Sequence, residues 1–523
     1  VTIDQSGKKK SRTEERNKMP KTKTQIVMLG LLYILFVIAG TAFGWVVAFG
    51  SVTMTLSRIQ VGSAELSLAA RLDSLSTIVL LMVSFLGIVI GQYSVRYLDG
   101  EKRQDFFFRY LCFTVFSVAA FVTASSLITL FFAWLAISFG LHQLLLFYPE
   151  RPGAVQAAQK KFLVSRLGDV FLLIGILLVY RAFGTFEFQT IFALSQGVLT
   201  ERQSELLACS GLFVVFGAMT KSAQFPFHFW LPETMETPTP VSALMHAGII
   251  NGGGFLLIRL NPLIAHASFA SLVLAVAGAL TGVYASLVMV TQNDIKRKLA
   301  YSTISQMGLM MFACGIGAYT FALFHIVAHS LYKAHAFLST GDLVEESKMI
   351  SLKIAPQGLW RRLFFTSFGL LLILFGLKWE SGRYVPELTY LSVLLLGLSQ
   401  NSERFEELKT KSTLVISIVV SALVVSISGY ALLERIIHAF SESEIVLWRE
   451  NIGLGSPLFI ICIAGYLTFA AGFYLANGLI EPKTKSQKQL YIYLWNGGYF
   501  QLRSQRMLRA FEPLFRNESG RIK

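Results

Sequence analysis

The sequence predicts an all-α polytopic membrane protein, and three observations carry that prediction. Apolar residues fill 54% of the 523 positions and charged residues 15%, against roughly 25% charged in ordinary soluble domains. Apolar runs close to the ~20 residues that cross a bilayer recur from end to end. Lysine and arginine collect in alternate loops between the runs, the bias that marks the cytoplasmic side. Disordered, collagen-like and disulfide-stapled chains are excluded. The excess of 46 basic over 31 acidic residues is explained by membrane orientation, so no nucleic acid is expected as a partner. Cys112, Cys209, Cys314 and Cys462 all lie in apolar stretches without a CxxC pair. Packing is expected of them, not zinc or redox chemistry.

In chain order, residues 1–25 form a basic arm that runs from Lys8 to Lys23. Fourteen spans are expected at roughly 26–49, 74–95, 110–125, 127–148, 162–180, 205–220, 240–258, 268–290, 299–316, 318–341, 363–379, 384–398, 413–433 and 456–476. The first is too long for a signal-peptide core and lacks a small-residue cleavage site, so it reads as retained. Basic loops around Arg96 to Arg109, Arg151 to Lys161, Lys296 to Lys298, Lys348 to Arg362 and Lys409 to Lys411 fall on one side. Acidic loops with Glu187, Glu201 and Glu205, and with Glu442, Glu444 and Glu450, fall on the other. The expectation is a multi-pass protein of the plasma (inner) membrane with both termini cytoplasmic.

Between Thr220 and Pro240 stand Pro226, Pro232, Pro238 and Pro240. Proline removes a backbone donor and clashes with the preceding turn, so a broken or re-entrant helix is expected there. The tail 477–523 mixes Tyr491, Trp495, Tyr499 and Phe500 with Arg503, Arg506 and Arg509. It reads as an amphipathic basic segment, either lying on membrane lipids or docking a partner subunit.

Ionisable residues inside spans are costly, so each is a candidate for function. Lys221 ends the run LFVVFGAMTK. Burial and a nearby carboxylate act on such an amine in opposite senses, so moving its partner switches it; snorkelling to the interface is the plainer reading. Asp169, one turn after Arg166, is either half of an intrahelical ion pair or a carboxylate for Lys221. His246 is either a core histidine or part of a relay. His325, His329 and Lys333 stand at i, i+4 and i+8, on one helix face, where packing alone explains them poorly. No glutamate follows His325 to make HExxH, so no metal site is expected. Lys378 near the end of 363–379 reads first as a snorkelling lysine. Gly252, Gly253 and Gly254 suit close helix packing, and no nucleotide, flavin or haem motif is present.

The stretch KSAQFPFHFWLPETMETPTPVSALMHAGIINGGGFLLIR from Lys221 to Arg259 resembles the core of the antiporter-like membrane subunits. So do TQNDIKRKLAYSTISQMG from Thr291 to Gly308 and FHIVAHSLYKAHAFLSTGDL after it. That family includes chain 5 of respiratory complex I, its photosynthetic relatives and the large subunit of multisubunit sodium/proton antiporters. The resemblance implies a transmembrane domain over 26–476 with two inverted five-helix repeats, about 110–258 and 268–398, each with a broken helix. It implies that Lys221 is the key lysine of the first repeat and Lys378 that of the second. It makes Asp169 a family carboxylate and His246, His325, His329 and Lys333 a hydrated connecting axis.

Two departures matter. Where the family carries a glutamate after a tryptophan, to pair with the first lysine, this chain has Leu135. The chain also stops soon after 456–476, without the long lateral helix of the complex I subunit. Both favour resemblance to the shorter DabB subunits of two-component inorganic-carbon transporters. That resemblance implies a large cytoplasmic partner, DabA, similar to a β-carbonic anhydrase and carrying zinc, with no cofactor in this chain. The expected function is therefore H+ or Na+ translocation that drives carbon dioxide hydration by the partner. The chain itself would be no enzyme. The rivals are a complex I-like pump subunit, a sodium/proton antiporter subunit, and a scaffold that only anchors a soluble enzyme.

Overall fold

The computed structural model describes residues 22–61, 64–340, 359–378, 384–401 and 455–511, with Gly382 and Gly453. The expected span 413–433 and nearly all of the basic arm lie outside the described residues. Each of the other thirteen expected spans has a helical counterpart.

The first helix, α1 (Lys23–Phe49), starts at a Thr22 cap whose side chain accepts from the Gln25 amide. After it comes an element absent from the expectation: a hairpin of β1 (Val52–Val61) and β2 (Ala64–Leu72), antiparallel from Val52↔Leu72 to Val61↔Ala64. The alternation in VTMTLSRIQV is the signal that would have found it. Next come α2 (Ser74–Tyr97), α3 (Gln104–Val122), α4 (Leu127–Leu145), α5 (Pro152–Phe183), the short α6 (Phe188–Ser195) and α7 (Glu201–Lys221).

The proline-rich stretch is irregular, as expected. Helix α7 stops at Lys221, and a 3-10 turn over Phe227–Glu236 contains Pro232. The expected span 240–258 is itself interrupted. It consists of α8 (Thr239–Ala247), a 3-10 turn at Ile249–Asn251 and α9 (Gly252–Arg259), followed by one turn, α10 (Asn261–Ile264). Helices α11 (Ser268–Thr291), α12 (Ile295–Gly315), α13 (Tyr319–Leu338), α14 (Leu359–Lys378), α15 (Val385–Asn401) and α16 (Pro457–Ile480) complete the bundle. Helices α11 and α12 touch backbone to backbone: a Cβ on Gly278 would lie 2.8 Å from the Gly308 carbonyl. Small residues permit that approach, which in lipid supplies much of the packing energy between helices.

The bundle has two ends. At one, Ala70 bridges Ala124, Ser126 bridges Glu187, and Asp73 meets Arg259. At the other, Tyr97 meets Thr239, Arg103 donates to the Leu146 and Phe147 carbonyls, and Tyr148 meets Glu101. The tail returns to this second end as α17 (Lys485–Trp495) and α18 (Phe500–Phe511). It docks on its own chain. Tyr284 donates to the Gly497 carbonyl, and the Phe500 ring lies 5.0 Å from His228 and 5.5 Å from Phe225.

One expectation about loops is corrected. Lys160 and Lys161 are not loop residues. Helix α5 starts ten residues earlier than expected, with Pro152 in its first turn, and carries both lysines buried, at 0% and 3% exposure. Proline at N1 followed by Ala154, Ala157 and Ala158 is the sequence signal for this earlier start.

Candidate functional site

Helix α7 ends where the proline-rich segment begins, so Lys221 sits at a helix terminus inside the protein, 7% exposed. Its ammonium donates to the Ser138 hydroxyl at 2.9 Å and to the Trp134 carbonyl at 3.2 Å. It also lies 4.2 Å from the centre of the Trp134 ring, within cation–π range. Both partners are on α4, one on either side of Leu135, the position without a carboxylate. Lys221 forms no ion pair among the described residues.

Asp169 is tied to this lysine by hydrogen bonds through tryptophan and also lies within its direct electrostatic reach. The Trp134 indole N–H donates to Asp169 Oδ1 at 2.9 Å, and Arg166 Nη2 lies 2.6 Å from Asp169 Oδ2. Both readings of Asp169 therefore hold in part: it is paired with Arg166 one turn away, and it is linked to Lys221 across one indole. Lys161 donates to the Ser138 carbonyl at 2.7 Å. One residue, Ser138, thus receives two buried ammonium groups.

The second cluster lies on α13, and the break between α8 and α9 joins it to the first. Gly252 leaves the Lys221 stem close: a Cβ there would lie 3.8 Å from Lys221 Cγ and Cε. Its neighbour Asn251 donates to the Ala247 carbonyl at 2.9 Å and to the Ser330 hydroxyl on α13 at 2.8 Å. Asn251 also lines a cavity of about 20 Å³ under the break, room for one water at most.

On α13, His325, His329 and Lys333 are all buried on one face, as the spacing predicts. The two imidazoles stack, with centroids 5.6 Å apart. His325 Nδ1 meets the Tyr390 hydroxyl of α15 at 2.7 Å. His329 hydrogen-bonds to the His246 backbone and lies within electrostatic reach of Lys333. Lys333 donates to the Ser302 hydroxyl at 2.8 Å. The His246 ring stacks on Phe337 at 4.3 Å and 15°. Lys378 is not part of the row; it is exposed at the end of α14.

Sequence reasoning does not reach Trp134, Ser138, Asn251 and Tyr390, which are neutral, or Lys161, which its basic neighbours assign to a loop. It also misses three ion pairs near the ends of the bundle. At the basic end, Lys160 pairs with Glu233; burial holds that carboxyl above the ordinary carboxylate range, against the pull of Lys160. At the hairpin end, Asp73 caps α2 and takes both Arg259 and Arg71. Burial works to raise the Asp73 carboxyl, but Arg259 and Arg71 outweigh it and hold it well below the ordinary range.

Comparison with known proteins bears on the same region. Residues 124–392 match the family model described as NADH:quinone oxidoreductase/Mrp antiporter, TM, and 59–108 match that of the complex I chain 5 N-terminus. The chain is 34% identical over 492 residues to the probable inorganic carbon transporter subunit DabB of Hydrogenovibrio crunogenus, an alignment covering 89% of each chain. It is 37% identical over 294 residues to NADH-ubiquinone oxidoreductase chain 5 of Dictyostelium citrinum, covering 55% of this chain and 44% of the other. In fold it is similar to a chain of the Mrp complex from Dietzia sp. DQ12-45-1b. That match has a TM-score of 0.58 and 21% identity, covering 91% of this chain and 59% of that one.

Proposed function

The chain belongs to the family of antiporter-like membrane subunits that NADH:quinone oxidoreductases share with Mrp antiporters, and from that premise we propose that it moves protons by way of Lys221. It is a cation-translocating membrane subunit. The observation that carries the proton reading is a buried row of exchangeable groups. Lys221, Ser138, Trp134 and Asp169 form its first part, and His329, His325 and Lys333 its second, with Asn251 and Ser330 between them. Desolvation and ion pairing pull a buried amine in opposite senses. A shift of α4 or α5 that changes the reach of Asp169 toward Lys221 then decides whether the amine keeps its proton. Buried hydroxyl, indole and amide groups hold the chain of contacts in place between charged states.

We further propose that this flux serves inorganic-carbon uptake, as membrane subunit to a soluble zinc-carrying partner that hydrates carbon dioxide. Similarity along 89% of a DabB chain supports this, as does Leu135, where a redox-pump subunit is expected to carry glutamate. The test is proton uptake into vesicles that contain the complete complex, with Lys221→Ala beside wild type. Loss of at least tenfold with unchanged assembly is expected; wild-type uptake in the variant overturns the role of Lys221. Mass spectrometry of proteins purified with the chain separates the partners: a β-carbonic-anhydrase-like subunit is expected, whereas quinone-reducing subunits or sodium/proton antiporter subunits refute the carbon assignment.

A further inference from the structure

The basic end of the bundle holds a cavity of about 350 Å³ that proton transfer does not use. It lies where α11 turns into α12, and the tail pair folds over it. Gln292, the first residue past α11, lines one side, with Arg297 and Tyr301 from the first turns of α12; Trp495, Tyr499 and Gln505 line the other. A cavity at the junction of two spans sits at headgroup depth.

Its chemistry is that of an anion site. Arg297 is half-buried and makes no ion pair among the described residues. The acid within its electrostatic reach, Glu233, is already held by Lys160 and hydrogen-bonded to Ser504. Asp294, three residues before it, is spent capping α12. The Gln292 amide is used on the Trp495 carbonyl, while the Tyr301 hydroxyl and the Gln505 amide make no hydrogen bond among the described residues. One guanidinium with two neutral donors suits a singly charged phosphodiester.

The rim suits lipid. Trp495 is 49% exposed, Tyr499 39% and Leu502 56%. Aromatic residues of this kind collect at the membrane–water interface, and an exposed leucine beside them offers surface to an acyl chain. We infer that this cavity binds the phosphodiester headgroup of an anionic membrane lipid between the α11–α12 turn and the C-terminal helices. Free phosphate shares the chemistry but would leave Trp495 and Leu502 without a partner.

The experiment is native mass spectrometry of the full chain in detergent, after incubation with phosphatidylglycerol or with phosphatidylcholine of the same acyl chains. Wild type retains phosphatidylglycerol preferentially. Arg297→Gln retains roughly fivefold less, the loss expected for one basic contact near a membrane surface. Tyr301→Phe, which removes only a hydroxyl, gives a smaller loss in the same direction and serves if Arg297→Gln does not fold. Lys488→Gln, exposed and outside the cavity, changes nothing, and millimolar inorganic phosphate does not displace the lipid. Equal retention in Arg297→Gln and Tyr301→Phe overturns the inference. So does displacement by inorganic phosphate, which would give the cavity to a soluble anion.

Discussion

Trp134 does three things at once. Its ring faces the Lys221 ammonium, its carbonyl accepts from it, and its indole N–H holds Asp169. Phenylalanine keeps the first two and removes the third. We predict that Trp134→Phe slows proton uptake about tenfold, the worth of one hydrogen bond to a charged group, and that Trp134→Phe with Asp169→Ala costs less than the sum of the two single losses, because both remove the indole–carboxylate bond. Additive losses in the double variant would contradict this. The sequence made the lysine and the aspartate visible, since ionisable residues in apolar runs stand out. It hid what joins them, because a tryptophan and a serine in FFAWLAISFG look like any membrane-buried pair. Leu135 marked the missing carboxylate, but only the fold brings Trp134 and Asp169 together from 35 positions apart.

Among the elements, the broken helix is fastened at its far end by a buried ion pair. Asp73 caps α2 and grips Arg259, the last residue of α9, so the hairpin end of the bundle fixes one half of the interruption. With its carboxyl held below the ordinary 3.8, Asp73 contributes stability that is fully present above about pH 4 and is lost as pH falls through the lowered value. The difference in thermal unfolding in detergent between wild type and Asp73→Asn is predicted to be constant from about pH 8 to about pH 5 and to shrink in acid. Asp73→Asn takes the negative charge away from the buried Arg259 and costs about 3 kcal/mol at neutral pH; an unchanged melting temperature there would refute the role. Proline spacing made the first break legible. The second, at Ile249–Asn251, was not, because glycines read as packing residues until something, here Asn251, bridges the gap to a neighbouring helix.

For the whole molecule, hydropathy gave nearly all of the helical spans, because a bilayer demands long apolar runs whatever the tertiary arrangement. It failed where the chain leaves the bilayer, at the hairpin and at the start of α5. The two ends of the bundle assign a side to each exposed residue. If the basic end is cytoplasmic, a membrane-impermeant maleimide labels Val198→Cys in intact cells and Lys488→Cys only in inverted vesicles. The opposite pattern would invert the orientation. The long reach of the buried row also has a consequence at His325. Its Nδ1 faces the Tyr390 hydroxyl, a group that can give or take a hydrogen, and its Nε2 has no hydrogen-bond partner among the described residues. The ring can therefore carry its single hydrogen on either nitrogen and exchange tautomers without turning. A proton that water delivers to Nε2 is balanced when Nδ1 releases its hydrogen to the Tyr390 oxygen and that hydroxyl gives up its own on the far side, so α13 hands charge toward α15 while imidazole and phenol are neutral before and after.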